Sequence, residues 1–415
     1  MLLKLAWKNI WRNKIRSGVI LGAIALGLFT GTYLASFASG WMFGTVYDVI
    51  NTDISHIQIR DTAFIADNNI NACFMRENVE KQLADFRQKD TMLNAAAISY
   101  RLNINGMLAS ANNAVGVQAN GVNAVEENTV STIWQTIPDS LGSYLPDDAK
   151  NPIVISAKTA QKLKVKLRSK IVFSFQDATG EMQSLAFRVS GIFHTSNTIF
   201  DERNVFVRYT DLLPSTALPD GAAHVAAIMF GKNTPFEKID EISPKIKSIL
   251  SNYDVKDWRA LNPMMSMSLG IVNIEMMVII GIFLFALAFG IINTMLMAVL
   301  ERTHELGMLG AIGMSKRKIF AMIMYETIFL TIVGGIIGII LATIALIPSI
   351  HKGVDLTPLM GSSFEDYGFS SIVYPVLNLK MLIEITVLVI IAGILSAIYP
   401  AIKALKLKSL DAIKE

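Results

Sequence analysis

The chain has one cysteine, Cys73, in 415 residues. No disulfide can form within it, which excludes a disulfide-stapled fold. It has no G-x-x-x-x-G-K-[ST] string and so lacks the Walker loop that cradles nucleotide phosphates. Gly334, Gly335 and Gly338 lie inside an apolar helical run with no lysine after them, and they read as packing glycines. The five histidines, His56, His194, His224, His304 and His351, show neither H-E-x-x-H nor paired metal spacing. The string Thr303-His304-Glu305 sets one histidine beside one acid, too little for a metal or acid–base site. There is no G-x-S-x-G elbow, and the acids of the central segment are too scattered to pair for catalysis. Charge is also scarce: 17% of residues are charged and the formal net charge is +3, too small to argue for nucleic acid. The chain therefore reads as no enzyme, with no cofactor of its own.

What the sequence has is apolar length. Hydrophobic residues make up 52% of the chain and the mean hydropathy is +0.44. The excess is concentrated in uncharged runs at 17–41, 276–300 and 385–402, and in a run at 319–350 whose single carboxylate is Glu326. A helix needs about 20 mostly apolar residues to cross the hydrocarbon layer. The expected fold class is a membrane protein with four transmembrane α-helices and a large extracytoplasmic α+β domain between the first and second. Charge placement sets the orientation. Lys4, Lys8, Arg12, Lys14 and Arg16 precede the first run, Arg302 and 316–318 follow the second, and Lys403, Lys406, Lys408 and Lys414 follow the fourth. The loop between the third and fourth has Lys352 against Asp355, Glu365 and Asp366. The positive-inside bias puts both termini in the cytoplasm, as expected of a multi-pass protein of the inner, cytoplasmic membrane. A cleaved signal peptide is the rival reading of the N-terminus, but the first run is about twice the usual 7–15 residues of such a segment.

The expected organisation is a cytoplasmic interfacial helix at 1–16, a first span at 17–42, the extracytoplasmic domain at 43–270 and a second span at 271–300. A cytoplasmic loop at 301–318, a third span at 319–350, an outer loop at 351–380, a fourth span at 381–403 and a cytoplasmic tail at 404–415 follow. Leu3, Trp7 and Trp11 share one helical row and Lys4, Lys8 and Arg12 the next, as suits a helix lying on the inner leaflet. Gly18-x-x-x-Gly22, Gly27-x-x-x-Gly31 and Gly334-x-x-x-Gly338 predict close helix packing within or between subunits. In the central domain, alternation and β-rich runs predict strands at 56–60, 153–156, 171–175, 185–193 and 204–207, with helices near 77–88, 157–163 and 236–250. They suggest an α+β domain with room for two lobes. Asn293 is expected to make an interhelical hydrogen bond. Glu326 must face protein, because a charge at mid-helix in lipid costs roughly 2.5–3.5 kcal/mol on insertion scales. Its candidate partners are Arg302 and the N-terminal basic residues, and its role is either structural or that of a coupling or proton-path residue.

The 301–313 stretch has the composition of a docking element. Leu306, Met308, Leu309 and Ile312 supply an apolar face at helical spacing, rimmed by Glu301, Arg302 and Glu305. The segment 292–319, INTMLMAVLERTHELGMLGAIGMSKRKI, resembles the cytoplasmic turn of FtsX-like ABC permeases, the family that includes MacB and the lipoprotein-releasing Lol permeases. Glu301-Arg302, Glu305, Gly307, Ala311-Ile312-Gly313 and the basic trio 316–318 fall in the family's places. LAWKNIWRNKIR at 5–16 resembles its N-terminal elbow helix. SAIYPAIKALKLKSLDA at 396–412 resembles its C-terminal signature, with Ser409 where proline is common, and Glu326 matches a glutamate often seen there. Softer agreement comes from Gly121, Glu126-Glu127, 141–145, Val154-Ile155-Ser156, Ala160, Leu163 and the strand at 187–193 before Asp201. Arg168-Ser169 departs from the family, where a Gly-Asp pair is common.

The resemblance implies a permease subunit that couples ATP hydrolysis to extraction or export of an amphiphile on the periplasmic side. ATP would be bound by a separate ABC ATPase subunit, and the loop from Glu301 to Gly313 would be the coupling helix against it. A second permease copy or paralogue, and a periplasmic adaptor or carrier protein, are the other implied partners. Lipoprotein release is the leading substrate class. MacB-like peptide or drug efflux and FtsX-like control of a cell-wall hydrolase are the alternatives, and a sensor reporting to a kinase is a further class.

Overall fold

A computed structural model describes residues 2–63, 69–231, 234–360 and 370–406. Glu365, Asp366, Lys408, Ser409 and Lys414 lie outside the described residues. The chain divides into two units. The first holds residues 1–43, 269–355 and 372–415, and the second holds 44–268 and 356–371.

Among the described residues, four helices are long and apolar enough to cross a membrane. They are α2 (Lys14–Val49), α3 (Pro263–Glu301), α5 (Lys316–Lys352) and α6 (Leu379–Lys406). Two shorter helices join them: α1 (Leu2–Arg12) before α2, and α4 (Thr303–Ala311) between α3 and α5. The division between units falls inside α2, after Phe43, and inside α3, after Ser268. The inward rows follow the 3.6-residue period. Ile20, Ile24 and Leu28 of α2 meet Leu287, Ile291, Met295 and Val299 of α3 and Ile319, Met322 and Ile323 of α5 in one core, with Ile385 and Val389 of α6. The opposite rows are apolar too: Ile271, Ile274, Val278, Ile282, Phe285 and Phe289 of α3 are all exposed. A helix apolar on every side suits lipid rather than water.

Lipid removes the hydrophobic drive for helices to associate, so close packing takes its place. A Cβ on Gly338 would sit 2.8 Å from the Ala25 carbonyl oxygen and 2.9 Å from Leu28 Cβ, and one on Gly334 would sit 3.0 Å from Ile24. The small-residue motif of α5 is thus the seat of α2. A Cβ on Gly18 or Gly22 meets nothing within 4 Å, so that pair seats no helix among the described residues.

The second unit is built on nine strands: β1 (Ile57–Arg60), β2 (Ala97–Ala109), β3 (Ala114–Val122), β4 (Pro152–Ser156), β5 (Lys170–Gln176), β6 (Met182–Phe193), β7 (Asn204–Arg208), β8 (Val225–Met229) and β9 (Asp254–Asp257). They form one sheet in the order β9-β1-β8-β2-β3-β7-β4-β6-β5, and β5 pairs back onto β2. Six of the strands therefore close into a ring, and β8, β1 and β9 extend it. The long strand β2 is common to the ring and to its three-strand extension. Alternate side chains fill the ring: Leu102, Ile104 and Leu108 of β2, Phe173 and Phe175 of β5, Phe187 and Val189 of β6 and Val205 and Val207 of β7. Closure depends on Gly106, whose Cβ would lie 2.5 Å from the Ser174 carbonyl oxygen. A second apolar layer, with Val154, Phe193, Phe200 and Phe206, covers the other face, which explains why β4 is buried at every position.

At the turn where the family resemblance led us to expect a Gly-Asp pair, Arg168 has φ +66°. That left-handed conformation is the one glycine adopts without strain, and here an arginine adopts it. The strain is kept here and held by the Arg168 N–H bond to the Val189 carbonyl, 2.8 Å.

Two histidines sit in this unit's interior. His56 Nδ1 accepts the Phe230 N–H at 3.2 Å. His224 accepts the Asn103 N–H at 3.1 Å on Nδ1 and donates from Nε2 to the Ile70 carbonyl at 2.8 Å. Both are neutral core groups. Burial lowers His224 and brings His56 from 6.5 to about 4.

Two predictions follow from the packing and the titration. Gly338→Ile should lower the unfolding free energy in detergent by about 1–3 kcal/mol through overpacking, while Gly335→Ala, whose Cβ meets nothing within 4 Å, should not lower it. For His56, the unfolded chain takes up a proton below pH 6.5 that the folded chain refuses until about pH 4. Stability should fall as pH drops through that window, by about 3 kcal/mol at most from this group, and be flat above it. Thermal midpoints measured from pH 7.5 to 4 should show the slope, and His56→Asn should flatten it in part.

Candidate functional site

The turn between α3 and α5 is assembled by backbone rules. α4 begins after Arg302, which leaves helical geometry at φ −103°, ψ 17°. It ends at Gly313, φ +98°. The Met314 N–H bonds the Leu309 carbonyl at 3.0 Å and the Gly313 N–H bonds the Gly310 carbonyl at 3.1 Å. This crossed pair is the Schellman stop, and Leu309 and Met314, its usual apolar contact, both pack on the helix core. Gly313 thus has a backbone task.

The four apolar residues read as one face divide into two. Leu306 is buried and Leu309 packs beside it on the core of the helical unit. Met308 is 52% exposed and Ile312 is 78% exposed. Side chains at i and i+4 share a row, so the outward row is Met308–Ile312, bordered by exposed Gly310 and Ala311. The inward pair anchors the helix; the outward pair is what a partner could touch. Gly307 lies between them, half-buried.

The polar residues divide likewise. Arg302 does not rim a docking face: its guanidinium lies 3.2 Å and 3.3 Å from the two Glu326 oxygens and donates to the Asn9 carbonyl of α1 at 3.3 Å. Its Nε is also 3.9 Å from Glu305. Glu305 in turn pairs with Arg12 of α1. One guanidinium therefore ties α1, the α3–α4 turn and α5 together, and Glu326 is answered by Arg302 from among its candidate partners. Glu301 is exposed at the end of α3. Asn293 is also exposed; among the described residues its side chain makes no hydrogen bond within the chain, so the expected interhelical bond is not an internal one.

A second constellation, in the α+β unit, was not singled out from the sequence. The chain leaves α2 through one π-helical turn, Ile50–Ile54, before Ser55 at φ 59°. The carbonyls at such an end lack helical partners, and here domain groups take them. Thr132 N–H bonds the Asn51 carbonyl at 2.8 Å, the Ser131 hydroxyl reaches the Thr52 carbonyl at 3.4 Å, and Gln58 donates to the Ile54 carbonyl at 2.9 Å. Arg101 donates to the Asp53 carbonyl at 2.7 Å. Arg101 is in turn held by Glu127 at 2.7 Å and 3.1 Å, and Ser99 donates to the same carboxylate at 2.8 Å. Arg101 and Glu127 are 6% and 1% exposed, a pair that only mutual hydrogen bonding makes tolerable. The available signal was an arginine in the middle of a β-rich run, Ile98-Ser99-Tyr100-Arg101-Leu102.

Comparison with known proteins bears on the helical unit first. Residues 277–409 match the family described as FtsX-like permease C-terminal. An ABC transporter permease of Methanocaldococcus jannaschii is 26% identical over 184 residues, 43% of this chain and 43% of that protein. The macrolide export ATP-binding/permease protein MacB of Bdellovibrio bacteriovorus is 32% identical over 126 residues, 30% of this chain and 16% of that protein. The periplasmic region of MacB from Actinobacillus actinomycetemcomitans aligns with 53% of this chain and 96% of its own, at 10% identity and a TM-score of 0.35. The chain spans less than half the length of these two permease relatives.

The buried pair sets a test. Arg302→Met should cost about 3–5 kcal/mol, because it strands the Glu326 carboxylate among apolar helices, and adding Glu326→Leu should recover most of the loss. Unfolding of the single and double variants in detergent measures both.

Proposed function

We propose, on the premise that residues 277–409 are an FtsX-like permease region, that the chain is the membrane subunit of an ABC transporter that works by mechanical transmission. α4 docks on a separate ATP-binding subunit in the cytoplasm, and the α+β unit does its work on the other side of the membrane. The observation that carries this reading is the division of α4 into an anchored row, Leu306 and Leu309, and an exposed apolar row, Met308 and Ile312. A short helix so divided moves with its own bundle and leaves an apolar anchor for a partner's groove.

Movement of α4 pulls directly on α5 and α1 through Arg302. α2 and α3 carry it onward as rigid helices between two states. No step passes through a site in this chain that binds nucleotide; ATP belongs to the partner. The exposed Asn293 amide in a largely apolar span supports a second permease copy or paralogue against α3, since an amide facing lipid is unfavourable. Both termini and α4 lie on the cytoplasmic side in this reading.

The cargo is an amphiphile taken from the outer face of the cytoplasmic membrane. Lipoprotein release is supported by Lol-like strings such as the strand before Asp201. MacB-like export is supported by the MacB relative, whose name carries macrolide export, and a periplasmic adaptor would go with it. An FtsX-like regulator of a cell-wall hydrolase would use the same lever.

Met308→Asp combined with Ile312→Asp tests the docking. Both positions are exposed, so the stability of the purified chain should change by no more than about 0.5 kcal/mol each. Co-purification of the ATPase subunit should be lost, and transport with it. Retention of the ATPase at wild-type level by the double variant would refute α4 as the docking helix.

A further inference from the structure

One turn of the α+β unit, Lys164-Val165-Lys166-Leu167-Arg168-Ser169-Lys170, carries four cations and no acid. It joins the helix Ala157–Leu163 to β5. Burial alternates along it: Val165 and Leu167 pack on the core of the ring, and the four cations are exposed. A fifth cation, Arg188 of β6, stands directly opposite Lys170 in the β5–β6 ladder and is exposed with it. Like charges placed opposite each other destabilise a sheet. Among the described residues, none of these five side chains makes an ion pair or a hydrogen bond.

The acids on neighbouring turns do not answer them. Glu202 is spent on Lys162 at 2.9 Å. Asp139 belongs to the turn whose Gly142 abuts Leu167, and Asp147 and Asp148 precede Lys150. With Lys150 and Lys162 counted in, the cations named here outnumber these acids by seven to four. The backbone keeps the charges together at a further cost. Lys164 and Arg168 have φ 54° and 66°, a left-handed conformation unfavourable for a residue with a Cβ. The Val165 N–H bonds the Ala160 carbonyl at 3.0 Å, and the Ser169 N–H bonds the Lys166 carbonyl at 3.1 Å. A segment that holds both repulsion and backbone strain points to a task beyond folding.

Position and composition narrow the partner. The Ser110 hydroxyl donates to the Leu163 carbonyl at 2.8 Å and the Asn113 amide to the Lys162 carbonyl at 2.7 Å. The basic turn therefore lies at the tip of the β2–β3 hairpin. Arg101, which holds the end of α2, is nine residues back along β2, roughly 30 Å at about 3.4 Å per residue. Charges are screened over about 8 Å at physiological salt, which argues against the lipid headgroups around α2. The centre of a protein interface is built on aromatic and apolar anchors and is poor in lysine. Here the apolar side chains turn inward and lysine predominates. Ammonium groups bind phosphate as point charges.

We propose that this turn, with Arg188, binds a soluble polyanion that carries phosphate groups along its chain. Such binding is driven by release of counterions and weakens steeply with salt. The site is carried by the α+β unit alone and does not depend on an ATPase docking at α4.

The test uses the full-length chain in phosphatidylcholine nanodiscs with three probes: linear inorganic polyphosphate, poly-L-glutamate of equal total charge, and phosphatidylglycerol vesicles. Polyphosphate should bind at least tenfold more tightly than polyglutamate, with an affinity that falls as salt rises. The triple variant Lys164→Gln, Lys166→Gln, Lys170→Gln should weaken it at least tenfold. Lys4→Gln combined with Lys8→Gln, in α1, should leave it within twofold. Arg168→Gly keeps a residue suited to the left-handed φ, so its melting temperature should not fall while polyphosphate binding weakens several-fold. Polyphosphate binding untouched by the triple variant would overturn the proposal. Equal or tighter binding of polyglutamate would point to an acidic protein instead, and vesicle binding lost in the triple variant to a membrane; either refutes the soluble phosphate polymer. If the triple variant does not fold, Arg168→Gly and Lys170→Gln singly decide.

Discussion

A carboxylate placed in the third apolar helix must find a positive partner or give up its charge, and much of the helical unit is arranged around that demand. Glu326 is answered by Arg302, which sits where α3 ends and α4 begins. Because the same guanidinium takes the Asn9 carbonyl, α1 is held against the turn, and the Arg12–Glu305 pair adds a second tie. With its polar residues engaged inward, α4 can lay Leu306 and Leu309 on the core. Only then do Met308 and Ile312 face outward. The exposed row is thus a consequence of the buried pair.

The α+β unit meets a comparable demand at a helix end. Where α2 gives way to the sheet, its last carbonyls would be orphaned. Thr132, Ser131, Arg101 and Gln58 take them in turn. Arg101 can do so because Glu127 and Ser99 fix it. The two units therefore use the same device: an arginine, held by a glutamate from another element, that also binds a backbone carbonyl. In each case the arginine ties a junction between elements to a third group.

The parts legible in the sequence were those written in composition and period. Uncharged runs long enough to cross a membrane gave the four helices, and alternation gave the strands that include 171–175 and 185–193. The strand pair at the centre of the ring escaped notice. β2 carries Asn103, Asn105 and Gly106, and β3 carries Gly116, Asn120 and Gly121, residues with poor strand propensity whose place is decided by neighbours. Gly106 is there because β5 approaches too closely for a side chain. The docking face was drawn with Leu306 and Leu309 on it because helical spacing shows that residues share rows, not which row the bundle will claim. Asn293 was expected to bond another helix, and its helix turns it outward.

By itself the sequence determined that the chain holds four apolar helices with an α+β region between the first two, and that Glu326 would need a partner. Those conclusions rest on local quantities: run length, period and the cost of an isolated charge. The tertiary structure alone decided which partner Glu326 takes, which half of α4 is anchored and that six strands close into a ring. Each of these depends on residues far apart in the chain meeting in space, and no local pattern encodes which surfaces will meet.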